Sequence, residues 1–447
     1  MDYIGIEGKH FKYAGHSIRL RGFGIGTWLN LEHFMIGFPA SEQMIKGAFQ
    51  KAYGFDAEKE FFDTYYMEFF KEEDFQLLKE CGVNFIRIPF NYRLFIDDNQ
   101  TAEYQKEGFA YFDRLFALCK KFEIFALIDL HTTPGAQNPD WHSDNSNGVP
   151  LFWEYQILRR QMTQLWRAIA SRYSEEPYLM GYDLLNEPAM TKWPVLNEFY
   201  EETIAAIREV DRNHVIVLEG DQFSMDFSGL KHFDDKQIAL SFHYYPTVWH
   251  PDLLDRRMDR EERRRKIAEG LEILVDIRNQ FDCPAFCGEY GYGADCGEPE
   301  YTLELLKDTM ELMEEREVDW LLWCYKDAHF MSLVSPKYSS GWMKLVQNIQ
   351  SEWTQDIEKE QAACILDLIV EKWFPQITEK ERYRLQFRLR ACLYILQQEH
   401  ILLPRLRQIA IQEMLEMPLD FSFKNCEIYP EMRDLIENTL FSFYQDE

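Results

Sequence analysis

Two glutamates follow short apolar segments, where a carboxylate could do chemistry. Glu187 lies in the motif LLNEP after the segment 179–185, and Glu289 follows the segment PAFCG at 284–288. Two carboxyl groups facing one cavity are the minimum requirement for hydrolysis of a glycosidic bond. One must be protonated to assist the leaving oxygen, while the other attacks or activates water. An unpaired buried charge costs several kcal/mol, so Glu289 is difficult to explain as a structural residue.

Other polar or aromatic residues close the neighbouring apolar segments in the same way. They are Arg87, His131, Asn186, His243, Tyr245 and Trp323. Arg87 is suited to keep one carboxylate ionised, and Tyr245 could donate a hydrogen bond to the nucleophile. Asn186 is placed to bind a sugar hydroxyl, and Trp323 offers a flat surface for a pyranose ring. We therefore expect an ionised Glu289, whose charge raises the pKa of Glu187.

The elements that must position these residues alternate along residues 1–350. Eight short, nearly all-apolar segments predict parallel strands buried on both faces, at 18–25, 83–88, 124–130, 179–185, 214–219, 238–243, 284–288 and 318–323. Helical segments between them are predicted at 71–81, 107–122, 154–173, 195–210, 262–281 and 299–316. This alternation predicts an α/β fold, a (β/α)8 TIM barrel whose active site lies at the carboxyl ends of the strands. The rival doubly wound sheet would need a glycine-rich phosphate loop, and neither GxGxxG nor GxxxxGK[ST] occurs.

The two ends of the chain carry additions to the barrel. Residues 3–15 predict a β-hairpin that could plug the bottom of the barrel. Residues 351–447 contain no glycine and predict an all-helical appendage, with helices at 354–374, 378–399, 401–416 and 430–444. We expect two domains, a catalytic barrel at 1–350 and this helical region at 351–447. The appendage could pad the barrel, mediate self-association as a homo-oligomer, or wall one side of the substrate cleft.

Composition excludes several classes of partner. The chain of 447 residues has 76 acidic and 48 basic residues, for a net charge of −28, which repels nucleic acid and anionic membranes. No apolar run approaches the roughly 18 residues of a membrane span, and the N-terminus lacks a signal-like pattern.

Nine scattered cysteines suggest reduced thiols and a cytoplasmic location. The first predicted strand has no His-x-His, so we expect no metal and no cofactor.

The motifs NFIRIPF, DLH, LLNEP, HYY and GEYG together with Trp323 resemble the retaining β-glycosidases of glycoside hydrolase family 5, in clan A. The resemblance covers roughly residues 1–350. It implies that Glu187 is the acid/base and Glu289 the nucleophile. It also implies that the sugar at the cleavage point is held by Arg87, His131, Asn186, His243, Tyr245 and Trp323.

Two further stretches resemble the exo-β-1,3-glucanases of that family. They are GFGIGTWLNLE at 22–32 and LHTTPGAQN at 130–138. By this resemblance Glu32 should bind hydroxyls of the terminal sugar, with Trp28, Asn138 and Trp141 nearby. The segment DWHSDNSN departs from the pattern of those enzymes.

We therefore expect a retaining, exo-acting β-glycosidase whose partner is a small β-linked oligosaccharide or glycoside. A β-mannosidase or an endo-β-glucanase on the same scaffold is the alternative. A sugar-binding protein without activity is the alternative from a different class, although neither carboxylate is missing.

Overall fold

The computed structural model describes residues 2–38, 40–98, 104–293, 296 and 298–444. Its centre is a closed barrel of eight parallel strands, in which the last strand pairs with the first. These strands are β4 Arg21–Gly24, β5 Phe85–Asn91, β6 Phe125–Thr132, β7 Leu179–Asp183, β8 Val215–Glu219, β9 Ile238–His243, β10 Ala285–Tyr290 and β11 Trp320–Leu322. All eight strands predicted from the sequence are confirmed.

Helices cover the outside of the barrel. They are α4 Glu72–Glu80, α5 Lys106–Phe122, α6 Gln156–Tyr173, α7 Trp193–Arg208, α10 Arg260–Phe281, α11 Pro299–Glu315 and α12 Gly341–Gln350, with the short turns α8 Asp221–Ser224 and α9 Pro246–Trp249. In α5 the apolar positions recur at helical spacing, and Tyr111, Phe112, Leu115 and Cys119 are buried against the sheet. Every residue of strands β4 to β11 is buried, as expected of a parallel sheet covered by helices.

The N-terminal residues form a small antiparallel sheet under the barrel. Its strands are β1 Gly5–Glu7, β2 His10–Tyr13 and β3 His16–Ser17. Phe11 packs edge-on against Phe286 of β10, and both belong to an apolar cluster with Phe85 and Phe125. This cluster fills the end of the barrel opposite to the carboxyl ends of the strands.

The long insert after β4 folds into three helices: α1 His33–Ile36, α2 Glu42–Tyr53 and α3 Phe55–Phe69. Aromatic side chains of α2 and α3 pack together, with Phe49 and Phe61 4.7 Å apart between ring centroids. The insert is therefore a folded layer above the first strand.

The C-terminal region is mainly helical, as predicted. Its helices are α13 Gln355–Trp373, α14 Glu379–Gln397, α15 Leu403–Leu406, α16 Ile411–Glu416 and α17 Pro430–Tyr444. The helix predicted at 401–416 is interrupted between α15 and α16. A short strand that the sequence did not predict, β13 Cys426–Ile428, pairs with β12 Val334–Pro336. Within the described ranges, no helix combines the length and apolar character that crossing a membrane requires.

The C-terminal region packs onto the barrel through buried polar contacts. The ammonium group of Lys326 donates to the Phe421 carbonyl at 3.0 Å and pairs with Asp74 at 2.7 Å. The backbone N–H of Trp342 donates to the Asp420 carboxylate at 2.8 Å. The two-domain division at residue 350 stays a prediction.

Candidate active site

Glu289 lies at the carboxyl end of β10 and is 4% exposed. One of its oxygens, Oε1, accepts a 2.6 Å hydrogen bond from Arg87. The other, Oε2, accepts a 2.8 Å bond from the Tyr245 hydroxyl. These two donors fix the orientation of the carboxylate.

Arg87 is completely buried at the centre of the barrel. Its guanidinium group is within 3.1 Å of four carboxylates, those of Asp129, Asp183, Glu219 and Glu289. It also donates to the side-chain oxygen of Asn186 at 2.8 Å. A buried arginine with so many anionic partners is rigid, because five N–H groups in a fixed fork set the positions of their acceptors.

Glu187 follows β7 with a left-handed backbone, at φ 48°. Its N–H donates to Glu219 at 2.7 Å, and its carbonyl accepts from the Asn138 amide at 3.0 Å. The side-chain oxygens lie 2.8 Å from Nδ1 of His243 and 3.0 Å from Nε2 of His142. The backbone and the carboxylate are therefore both held in place.

Glu187, His243 and Glu289 converge on one point. One oxygen of each glutamate and one ring nitrogen of His243 all lie within 4.8 Å of one another. Nδ1 of His243 is 2.8 Å from Glu187 and 3.6 Å from Glu289. The histidine therefore bridges the two carboxylates.

A second group of residues lies beside Glu289, around Trp323. The rings of His131 and Trp323 are nearly parallel, with centroids 5.8 Å apart and an angle of 6°. His131 Nε2 is 3.3 Å from the Glu32 carboxylate. A Cβ added to Gly24 would lie 2.3 Å from the Trp323 ring, so the tryptophan occupies space that a side chain on β4 would need.

The pKa values of the two glutamates shift in opposite directions. Burial raises the pKa of Glu187, but hydrogen bonds from His142 and His243 outweigh it and the net shift is downward. Burial and the charge of Glu187 raise the pKa of Glu289 against the attraction of His243 and Arg87. The sequence predicted an ionised Glu289 and a raised pKa for Glu187, and this prediction is wrong for the free chain. The reason is His142, a donor supplied by the loop after β6.

The histidines around the carboxylates are basic. Although burial lowers the pKa of His131, the Asp129 and Glu32 carboxylates raise it to about 10. The pKa values of His142 and His243 are also raised, despite burial, by their carboxylate neighbours. A proton held by His142 or His243 is thus one hydrogen bond from Glu187.

Nearly all the side chains predicted for the site do converge. Arg87, His131, Asn186, His243, Tyr245, Glu32 and the two glutamates are linked by the contacts above, and Trp323 stacks on His131. The Asn138 amide nitrogen donates to the backbone carbonyl of Glu187 and lies 2.8 Å from Nε2 of His142.

Two of the predicted tryptophans have other surroundings. Trp28 is 1% exposed, donates to the Tyr66 carbonyl at 2.8 Å and packs against Phe70. It is a core residue beneath α3, and the expectation of a sugar contact is corrected. The Arg390 guanidinium covers Trp141 at 3.9 Å from the ring centroid. Trp141 therefore joins the loop after β6 to α14.

Sequence reasoning missed three residues of the site. Glu219 ends β8, so the rule that identified the other strand-end residues could have found it. His142 lies in DWHSDNSN, where the departure from the exo-glucanase pattern was the only signal. Phe223, whose ring centroid is 6.2 Å from that of His142, had no signal in the sequence.

Among the residues that the structure describes, two groups of side chains have spacing that could suit a metal ion. One is Glu187, His243 and Glu289, the converging group itself. The other is Asp129, Asp183 and Glu219, and Arg87 already places its positive charge among these carboxylates.

Two acidic groups at the carboxyl ends of strands β7 and β10, one held by Arg87 and the other by two histidines, can split a bond between a sugar and its leaving group. A family model described as cellulase (glycosyl hydrolase family 5) matches residues 49–329, more than half of the chain. The chain belongs to glycoside hydrolase family 5. The resemblance identified from the sequence is confirmed, and this family 5 enzyme is a retaining glycoside hydrolase.

Known relatives of this family 5 enzyme have several activities. A β-xylosidase of Phanerodontia chrysosporium is 33% identical over 366 residues, covering 78% of this chain and 76% of that protein. Glucan 1,3-beta-glucosidase 2 of Wickerhamomyces anomalus is 29% identical, covering 57% of this chain and 61% of that protein. The crystal structure of endoglucanase Cel5A from Thermotoga maritima is 18% identical with a TM-score of 0.52, covering 70% of this chain and 91% of that one. The last match shows the fold alone.

Proposed function

We propose that this family 5 enzyme is an exo-acting β-glycosidase that releases one terminal sugar from β-glucosides or short β-glucan oligosaccharides. Glu289 is the nucleophile and Glu187 the acid/base. The observation that carries the assignment is the approach of one oxygen from each carboxylate within 4.8 Å. Retaining glycosidases have about 5–5.5 Å between their carboxyl groups, whereas inverting enzymes need about 6.5–9.5 Å to admit a water molecule.

The reaction has two displacements. In the first, a Glu289 oxygen bonds to the anomeric carbon, and the bond to the leaving oxygen breaks as that oxygen takes a proton from Glu187. In the second, Glu187 takes a proton from water, the resulting hydroxide attacks the anomeric carbon, and the bond to Glu289 breaks. Two inversions at one carbon give net retention.

The surroundings support these roles. Tyr245 and Arg87 leave Glu289 little freedom, which keeps the attacking oxygen positioned. The first displacement needs the proton on Glu187 and none on Glu289, which is the reverse of the pKa shifts in the free chain, and His243 contacts both carboxylates. Glu32 and His131 offer hydrogen bonds to sugar hydroxyls beside the flat face of Trp323.

Burial of the carboxylates favours action on chain ends. Glu187 is 9%, Glu289 4% and Glu32 3% exposed. The loop after β6 contacts Glu187 through His142, and the N–H of Gln43 in α2 donates to Asp144 of that loop. An enclosed site holds one sugar by many polar contacts and rejects a chain that continues beyond it.

A trapping experiment tests the catalytic roles. Incubation with a 2-deoxy-2-fluoro-β-glycosyl fluoride should leave a sugar on Glu289, detectable by peptide mass spectrometry. Glu289→Gln should not be labelled. A label on another carboxylate, or labelling of the variant, would refute the assignment.

A substrate panel tests the sugar and the mode of action. We expect the enzyme to hydrolyse 4-nitrophenyl β-glucoside and to release monosaccharide from laminaritriose or cellotriose in the first minutes. The viscosity of a soluble β-glucan should not fall. Release of disaccharides with rapid thinning would indicate endo action.

The second candidate is a β-xylosidase. It is favoured by the 33% identical relative, which bears that name and is matched over 76% of its length. Because xylose lacks the hydroxymethyl group of glucose, the ratio of kcat/KM for 4-nitrophenyl β-xyloside and β-glucoside decides between the two.

The proposal also covers the cellular location of the enzyme and its oligomeric state. Exposed free thiols at Cys364 and Cys392 suit a reducing compartment such as the cytoplasm. Leu368 and Trp373 on α13 form an apolar surface and are 68% and 65% exposed. A second copy of the chain would cover it. Light scattering should show a dimer that Leu368→Ser with Trp373→Ser dissociates, and a wild-type monomer would exclude it.

A further inference from the structure

The C-terminal helices reach the surroundings of Glu187. Phe387 of α14 stacks on Phe223, with ring centroids 6.5 Å apart and an angle of 29°. Phe223 in turn contacts His142, whose ring nitrogen is 3.0 Å from the Glu187 carboxylate. A continuous set of rings therefore leads from the acid/base to α14.

The backbone after β8 is shaped to place Phe223 in this set. Residues 222, 223 and 224 have φ values of 56°, 60° and 59°, a left-handed conformation that non-glycine residues adopt rarely. The N–H of Phe223 donates to the Pro188 carbonyl at 3.2 Å. This bond holds the phenylalanine beside the residue that follows Glu187.

Tyr383 extends the set towards solvent. Its ring meets Phe387 edge-on at 4.9 Å, and the residue is 42% exposed whereas Phe387 is 7% exposed. Burial and then the charges of Asp140 and Glu187 raise the pKa of the Tyr383 hydroxyl. The tyrosine thus presents an accessible ring at the outer end of this set, next to Phe387.

A polar brace holds α14 against the loop after β6. Arg390 lies over the Trp141 ring at 3.9 Å and donates to Glu358 of α13 at 2.6 Å. A Cβ on Gly148 would lie 2.8 Å from the Phe387 carbonyl oxygen, so helix and loop are in close contact. The position of Tyr383 is therefore fixed relative to His142 and Glu187.

These rings are connected to the site through His142, which contacts Glu187. His131 contacts both Glu32 and Trp323 beside Glu289, whereas His142 contacts Glu187 and Phe223 contacts His142. The His131 and His142 rings, 5.9 Å apart, mark the boundary between the two groups. An acid that protonates the leaving oxygen must face the leaving group. His142 and Phe223, which lie beside this acid, therefore border the leaving group.

We propose that Tyr383, with Phe223 and Phe387, forms the subsite for the leaving group, and that a second β-linked pyranose ring occupies it. This inference rests on the roles proposed above for Glu187 and Glu289. A pyranose has an apolar face for the rings and hydroxyls at its edge. The Tyr383 hydroxyl and the Asp140 carboxylate supply polar partners for those hydroxyls. The specificity for the leaving group thus depends on a helix outside the barrel.

The test compares leaving groups that carry the same terminal sugar. One substrate is the β-linked disaccharide of that sugar, and the other is its β-glycosyl fluoride, whose leaving group has no ring. Tyr383→Ala should lower kcat/KM for the disaccharide about two- to tenfold, the range of one aromatic contact, and leave the fluoride unchanged. Tyr383→Phe should retain part of the disaccharide activity. The matched control is Phe441→Ala, an aromatic of similar exposure, 48%, on α17 beside Gly82, at the opposite end of the barrel.

Three results would overturn the proposal. Equal loss on both substrates would make Tyr383 structural, and no loss on either would exclude the contact. Loss confined to aryl β-glycosides would assign the subsite to an aromatic leaving group instead of a sugar. A separate variant tests the underlying mechanism. If Glu187 is not the acid/base, Glu187→Ala keeps its activity on the disaccharide, and this result does not depend on the role of Tyr383.

Discussion

His142 is one of two histidines that lower the pKa of Glu187 against the effect of burial, and its removal should shift the pH dependence of the enzyme. Its ring nitrogen is 3.0 Å from a Glu187 oxygen. A hydrogen bond to a charged group contributes about 1.5–3 kcal/mol, and one pKa unit corresponds to about 1.36 kcal/mol. His142→Ala should therefore raise the pKa of Glu187 by about one to two units.

The expected direction of the shift follows from the role of Glu187. The first displacement needs this carboxyl protonated in the free enzyme, and the alkaline limb of kcat/KM against pH reports its pKa. A higher pKa keeps the proton to higher pH, so the alkaline limb should move upwards by about one to two pH units. His243 also faces Glu187, and because it remains in the variant the shift should be partial.

The assay is a pH profile of kcat/KM with a disaccharide, whose leaving group needs a proton. His142→Gln restores a neutral donor and should give an intermediate profile. His250→Ala is the control, since this histidine pairs with Glu269 on α10 at 3.4 Å and contacts neither glutamate in the described structure. An alkaline limb that stays in place or moves to lower pH in His142→Ala would refute the reasoning.

Three further changes have defined outcomes. Tyr245→Phe removes the 2.8 Å hydrogen bond to Glu289 and should lower kcat about 10- to 100-fold in steady-state assays, while the circular dichroism spectrum stays unchanged. Burial raises the pKa of Glu358 to about 7 against the attraction of a neighbouring arginine, so folding favours its protonated form. Stability should fall as pH rises from about 4.5 to 7, by about 3 kcal/mol at most, and Glu358→Gln should flatten this part of the melting-temperature profile. Truncation after residue 350 removes the Phe421 carbonyl that binds the buried Lys326, and light scattering should show that the fragment aggregates.

The barrel and the carboxylate pair could be predicted because their signals are local. Each buried strand is a short apolar segment, and most polar residues predicted for the site lie at the end of such a segment or directly after it. Glu187 and Glu289 are about a hundred positions apart, but the parallel arrangement brings every strand end to the same face of the barrel. One rule about strand ends therefore located most of the site.

The features that the sequence did not predict depend on contacts between distant parts of the chain. Trp28 resembles a ligand contact in sequence, but the Tyr66 carbonyl and the ring of Phe70 hold it in the core. The pKa order of the two glutamates depends on His142, whose position is set by a loop. The place of α14 could not be predicted, since an amphipathic helix does not specify the surface that it covers.

The contact between Arg390 and Trp141 has a consequence for how the enzyme matures during synthesis. The ribosome releases the loop that carries His142 roughly 250 residues before the helix that braces it. Domains generally fold as units from the N-terminal side during translation, so the barrel strands can assemble while that loop still lacks its partner. Closing a loop of this length costs conformational entropy, and no local contact compensates for this cost. We therefore expect α14 to pack onto the barrel late in folding. A nascent chain stalled near residue 350 would thus hold both glutamates and still lack the brace beside its acid/base.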